Sequence, residues 1–134
     1  MNLRRGPGGP GAFRPGATVT CTYKDKDMSG ASPKFACVIG RGDEVKVKYG
    51  ADNGEVYGEV LATRLLWALG FGADRMYPVR VVCRGCPEDL GGTRVRGGAV
   101  RFDAAVIERK MAGAEWSPDG REGWAWNELN VVNP

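Results

Sequence analysis

The sequence predicts an α+β fold: an antiparallel β-sheet of about five strands carrying one main helix, Gly54 to Leu69. Three observations predict it. Short runs rich in β-branched and aromatic residues recur between clusters of Gly, Pro, Ser and Asp, which is the pattern of strands joined by turns. Glu44-Val45-Lys46-Val47-Lys48-Tyr49 alternates strictly, with Val45, Val47 and Tyr49 on one face and Glu44, Lys46 and Lys48 on the other. One long stretch is bounded by helix signals at both ends. Asp52 or Asn53 caps its start, Asp52 and Glu55 have the spacing of a capping box, and Gly70 provides a left-handed stop.

At 134 residues and 43% hydrophobic content the chain forms one small globular domain with a core of its own. Eight of the first sixteen residues are Gly or Pro, so residues 1–16 read as a flexible tail. Residues 17–112 form the folded lobe and residues 113–134 a tryptophan-rich C-terminal segment. Thr18 to Tyr23 is the first strand, Lys24 to Pro33 a polar loop, and Lys34 to Ile39 the second strand. Arg41-Gly42-Asp43 turns into the lysine strand. After the helix, Met76 to Cys83 is a strand in which Pro78 favours the start or an edge position. Arg84 to Gly92 is loop. Val106 to Met111 is apolar enough for a last strand, although Asp103 to Met111 also fits a short helix.

The formal net charge is +3. Arg4, Arg5 and Arg14 account for all of it: without them 16 basic residues face 16 acidic ones, so the folded part has no basic bias and a nucleic-acid partner is not expected. No apolar run has the length of a membrane span or the form of a signal-peptide core, so the chain reads as soluble; plain thiols at its four cysteines would fit a cytoplasmic protein, which is slightly favoured.

Candidate functional residues begin with Lys48 and Glu59. Glu59 lies on the helix beside Val56, Ala62 and Leu66, and a carboxylate in an apolar stripe calls for a cation, because an unpaired ion out of water costs several kcal/mol. Lys48 is eleven positions upstream on the preceding strand. A helix folding back across that strand brings the two together. The plainer alternative leaves Lys46 and Lys48 on a solvated strand face. The loop before the second strand holds Ser29, Gly30 and Ser32, small residues whose backbone N–H groups can approach an anion, with Lys24, Lys26 and Lys34 nearby. Its plainer alternative is an ordinary hairpin loop.

Val45-Lys46-Val47-Lys48, followed by a helix carrying Glu59, resembles the strand lysine and helix glutamate of the protein-kinase-like fold. Ser29-Gly30-Ala31-Ser32-Pro33 is similar to the short phosphate loop of atypical kinases of the HipA and phosphatidylinositol-kinase type. The resemblance covers about residues 18–110, the amino-terminal lobe of that fold. It implies a nucleotide partner, ATP with Mg: Lys48 on the α- and β-phosphates, Glu59 orienting Lys48, and Ser29, Gly30 and Ser32 covering the phosphates. It also implies that a helical lobe with the catalytic and metal-binding aspartates should follow. This chain has no histidine, no His-Arg-Asp segment and no Asp-Phe-Gly segment, so a truncated or partial kinase-like protein without turnover of its own is expected.

Four cysteines and the C-terminal segment support a second class of function. Cys83-Arg84-Gly85-Cys86 is a CxxC knuckle, and Cys21 and Cys37 are equidistant from Ser29, which places them opposite each other in a hairpin. Three states are open: disulfides in one or both pairs, a four-cysteine zinc site, and plain thiols. Disulfides would fit an oxidising compartment and a secreted protein. Trp116, Trp124 and Trp126 flank a turn, Ser117-Pro118-Asp119-Gly120, and either pack on the body or dock a second lobe or partner protein. The second class is therefore a noncatalytic β-rich interaction module stapled by its cysteines.

Overall fold

A computed structural model describes residues 2–114 and residue 120. Among the described residues the strands are β1 (Thr18–Lys24), β2 (Lys34–Ile39), β3 (Asp43–Tyr49), β4 (Arg75–Arg84), β5 (Thr93–Arg94) and β6 (Val100–Arg109), with one α-helix, α1 (Gly54–Ala68), and a 3-10 turn at Glu88–Leu90. The α+β class and the single helix are as expected. The sheet is not a simple antiparallel one. Its order is β3-β2-β1-β4-β6-β5, and β3 also pairs with β6, which closes five strands into a barrel. One of the pairings, β1 with β4, is parallel. β4 takes one edge of β6, leaving the other to be shared between β3 and the two-residue β5.

Closure follows from what the strands must bury. Val19 and Cys21 of β1, Phe35 and Cys37 of β2, Val45 and Val47 of β3, and Tyr77, Val79 and Val81 of β4 point to a common interior. A flat sheet would leave two open edges, whereas closure pairs them and shuts water out of that face. Phe35, Tyr49 and Phe102 fill one part of the barrel with ring centroids 4.7–5.6 Å apart. Pro78 lies within β4 rather than at its start. The pairing of β4 with β1 begins only at Arg80, so the missing N–H at Pro78 interrupts no ladder bond on that side.

The last strand holds the feature that positions the site. Val100 and Phe102 point into the barrel, and so do Ala105 and Ile107, a switch from even to odd positions. The register explains it: Val79 faces Ala105 while Val81 faces Phe102, so β6 spends three steps where β4 spends two. An extra residue of this kind reverses which face each later side chain occupies. Val106 and Glu108 are thereby sent to the outside of the barrel, where α1 lies. Val56 and Val60 of the helix meet Val106 and Met76 there in a second, smaller core.

Asn53, one of the two caps expected, is the N-cap of α1, without a cap hydrogen bond from its side chain. At the other end Gly70, at φ +86°, lets its own N–H reach the Trp67 carbonyl and that of Phe71 reach the Leu66 carbonyl, the paired bonds of a Schellman stop. Composition predicts a flexible tail over residues 1–16. The described part, from Asn2, instead forms a strap tied to the body by side chains of the fold. Arg64 donates to the carbonyls of Leu3 (2.7 Å) and Arg4 (3.0 Å), Tyr77 to that of Pro7 (2.8 Å), Arg75 to that of Pro10 (3.0 Å) and Arg109 to that of Gly11 (2.7 Å). A Gly/Pro-rich segment has little apolar surface to bury, but its carbonyls are good acceptors for the arginines and the tyrosine that face it.

Candidate functional site

The outward face of β3 carries Lys46 and Lys48, as its alternation requires, and α1, packed on β4 and β6, stands beside that face. Lys48, 8% exposed, donates to Glu59 of α1. The strand–helix ion pair expected from the sequence is present. It is not isolated. Glu108, 5% exposed, stands 3.1 Å from the Lys48 ammonium and 2.7 Å from that of Lys46. The β3–β6 register sets Lys46 directly opposite Glu108. Two ammonium groups and two carboxylates thus alternate in one cluster with no net charge.

Burial, the largest single influence on Lys48, disfavours its ammonium, but the hydrogen bonds with Glu59 and Glu108 outweigh it and hold the lysine above its ordinary value. For Glu108 burial pushes the carboxyl up, while hydrogen bonds from Lys46 and Lys48, with their charges, more than offset it and keep the group below the usual carboxylate range. Lys48 and Glu108 are accordingly charged at neutral pH.

Two adjoining depressions flank the cluster. One, about 320 Å³, is lined by Lys46, Lys48, Glu59, Ala62, Thr63, Asp74, Met76, Glu108 and Lys110. The other, about 410 Å³, is lined by Lys26, Met28, Glu44, Val45, Lys46, Arg75, Glu108, Arg109 and Lys110. They share Lys46, Glu108 and Lys110, forming one cleft from α1 to the β1–β2 loop. In the first, three lysines face three carboxylates; the second is rich in cations, five against two carboxylates. Glu44 closes the loop end by accepting from Lys24 and, at 2.7 Å, Lys26; those two hydrogen bonds depress its carboxyl to about 2.

The small residues of the loop stand elsewhere. Ser29 and Gly30 are exposed and Ser32 half-buried, and none of the three lines the cleft; the loop contributes Lys26 and Met28 instead. Gly30, at φ +92°, lies against the side chain of Lys34, whose ammonium is 2.6 Å from the place a Cβ would take. The residue that sequence reasoning missed is Glu108. Its signal was a lone carboxylate directly after Val106-Ile107, but its face depends on the extra residue in β6.

The four cysteines form two disulfides, Cys21–Cys37 and Cys83–Cys86. Their sulfurs are therefore committed to one another rather than to the zinc site weighed above, and among the described residues no group of three or more His, Cys, Asp or Glu is placed to hold a metal. The hairpin centre lies one residue beyond Ser29: Tyr23 faces Cys37, and the disulfide runs diagonally to Cys21. Among the described residues no helix is long and apolar enough to cross a membrane. Trp116, Trp124 and Trp126 lie outside the described residues. No protein family, characterised protein or solved structure gives a match to this chain.

Proposed function

We infer that the chain is a kinase-like amino-terminal lobe whose cleft takes the phosphates of a nucleotide, ATP with Mg, at Lys48. The observation that carries this reading is the ion pair between Lys48 of β3 and Glu59 of α1 at the edge of an open cleft whose loop end is rich in cations. A strand lysine oriented by a helix carboxylate is the arrangement with which kinase-like proteins hold the α- and β-phosphates. In this reading Glu59 orients Lys48 in the empty cleft and yields to the phosphates as they arrive, while Ser29, Gly30 and Ser32 belong to a loop that closes over the phosphates when they are bound. The 134 residues include no His-Arg-Asp or Asp-Phe-Gly segment, so the reading is of nucleotide binding without phosphoryl transfer by this chain.

The test is a thermal shift with and without Mg-ATP, set beside Lys48→Ala and the remote Arg80→Ala. Stabilisation present in the parent and in Arg80→Ala but abolished in Lys48→Ala supports the reading. No response of the parent to millimolar Mg-ATP, ADP or inorganic triphosphate refutes it. A second reading, the noncatalytic interaction module, is favoured by the two disulfides and by the exposed apolar side of α1. It predicts no response to nucleotide and a loss of stability on reduction.

A further inference from the structure

Helix α1 buries Val56 and Val60 and turns Glu59 and Arg64 to the body, yet keeps a second set of apolar side chains outward. Glu59 pairs with Lys48, and Arg64, 9% exposed, lies beneath the amino-terminal strap. Tyr57, Leu61, Leu65 and Leu69 are 46%, 71%, 53% and 64% exposed, with Leu66 and Phe71 exposed beside them. Recurrence at every fourth residue stacks the four in one row, about 18 Å long at 1.5 Å per residue. A helix that still shows a row of leucines on its open side after burying its valines is apolar on two sides, and its open side is a surface to be covered.

We propose that this row is the docking surface for the chain's own tryptophan-bearing segment, residues 115–134. The path of the chain points there. After β6 the N–H of Met111 donates to Asp74 Oδ1 at 2.8 Å, and the Met111 sulfur lies 2.5 Å from where a Cβ on Gly72 would stand. Gly72 and Asp74 belong to the connection leaving α1, so the chain passes the Leu69 end of the row just before the segment begins. Reach is ample: twenty residues extend to about 66 Å at ~3.3 Å each, more than three times the row.

Chemistry points the same way. Trp116, Trp124 and Trp126 give the segment a large apolar payload, each ring able to cover about 150–250 Å². Its Glu115, Asp119, Glu122 and Glu128 outnumber the single Arg121. The opposite charge is available beside the helix, where the strap carries exposed Arg4 and Arg5 and Arg64 holds the carbonyls of Leu3 and Arg4. Leu3, 52% exposed, extends the apolar surface at that point. The proposal does not involve Lys48 and stands apart from the phosphate reading.

The test is photo-crosslinking in the full chain. p-Benzoylphenylalanine is placed at position 61, at position 65 in a second variant, and at the exposed position 20 on β1 as a control, each in an equal mixture of ¹⁴N- and ¹⁵N-labelled protein. The expected product is a cross-link from position 61 or 65 to a peptide within 115–134, without mixed-isotope species. Its yield should fall at least fivefold when Trp124→Ala and Trp126→Ala are combined. Mixed-isotope cross-links would show that a second copy covers the row and overturn the proposal. So would the absence of any link to 115–134, an equal yield from position 20, or a yield indifferent to the tryptophan substitutions.

Discussion

Replacing Glu108 by glutamine tests whether the cluster around Lys48 is organised by burial. In Glu108→Gln the amide keeps the shape and still accepts hydrogen bonds, but the charge that two ammonium groups share is gone. Removing one partner of a buried ion pair costs about 3–5 kcal/mol when the other is left stranded. Here the cost is smaller for two reasons. Lys48 keeps Glu59, and the Lys46 side chain, 23% exposed, can turn to water. About 2 kcal/mol is the resulting expectation, roughly 8 °C in Tm for a domain of this size. Glu59→Gln is the comparison. Its side chain is 36% exposed and Lys48 keeps Glu108, so about 0.5–1 kcal/mol is expected. Urea denaturation followed by circular dichroism without reductant reads both, with the m-value unchanged. The pH dependence has a fixed sign. Glu108 titrates below its unfolded value of 4.5, so its contribution is full above that value and fades as pH falls through the lower folded one. The gap between parent and Glu108→Gln should therefore be flat at neutral pH and narrow in acid. An equal or larger cost for Glu59→Gln, or a gap that widens in acid, refutes the reasoning.

Three other outcomes follow from the same fold. Replacing Cys21 and Cys37 together by alanine opens a loop of 16-residue separation and should cost about 3 kcal/mol by chain entropy, against about 2 for the short Cys83–Cys86 loop, read by denaturant midpoints under oxidising conditions. Gly92→Ala places a methyl 2.8 Å from Val100 Cγ1 and 2.9 Å from Phe102 Cε1 at φ +89°, and a loss of about 2 kcal/mol is expected from the strain and the overpacking together; an unchanged Tm would contradict that geometry. Tyr77→Phe removes the buried bond to the Pro7 carbonyl and should cost about 1 kcal/mol while raising amide hydrogen exchange in residues 2–12, with the barrel strands unaffected.

Local pattern made most of the fold legible, and long-range closure made the rest illegible. β2 and α1 are readable because their composition and their stops are local: Lys34 to Ile39 is a β-prone apolar run bounded by Pro33 and Gly40, and Gly70 ends the helix by its own backbone geometry. The pairing of β1 with β4 is not readable, because nothing near Thr18 or Arg80 distinguishes a parallel neighbour from an antiparallel one. Lys48 and Glu59 were found because a charge set in an apolar stripe needs a partner and the chain supplied one eleven residues away. Glu108 escaped because its partner, Lys46, is 62 residues distant and its face is fixed by the extra residue in β6. On an unbroken alternation from Val100 and Phe102, position 108 would point into the barrel, the wrong place for a carboxylate.

That extra residue has a consequence for ligand binding at Lys48. Because Glu108 is delivered to the helix side, the cluster is already neutral, two lysines against two glutamates, before any ligand arrives. A phosphate approaching the Lys48 ammonium therefore adds uncompensated negative charge and must weaken one of the existing pairs. The two carboxylates are unequal candidates. Glu108 is buried and held by both lysines, so displacing it would strand a carboxylate out of water, whereas Glu59 is over a third exposed and needs only a rotation toward solvent. A ligand phosphate at this site would accordingly share Lys48 with Glu108 and compete with Glu59. Neutralising Glu59 should then strengthen phosphate binding, and neutralising Glu108 should weaken it by loosening Lys48. Isothermal titration of inorganic triphosphate into Glu59→Gln and Glu108→Gln reads the two effects, and affinities that change in the same direction would mean that the carboxylates act as one orienting pair.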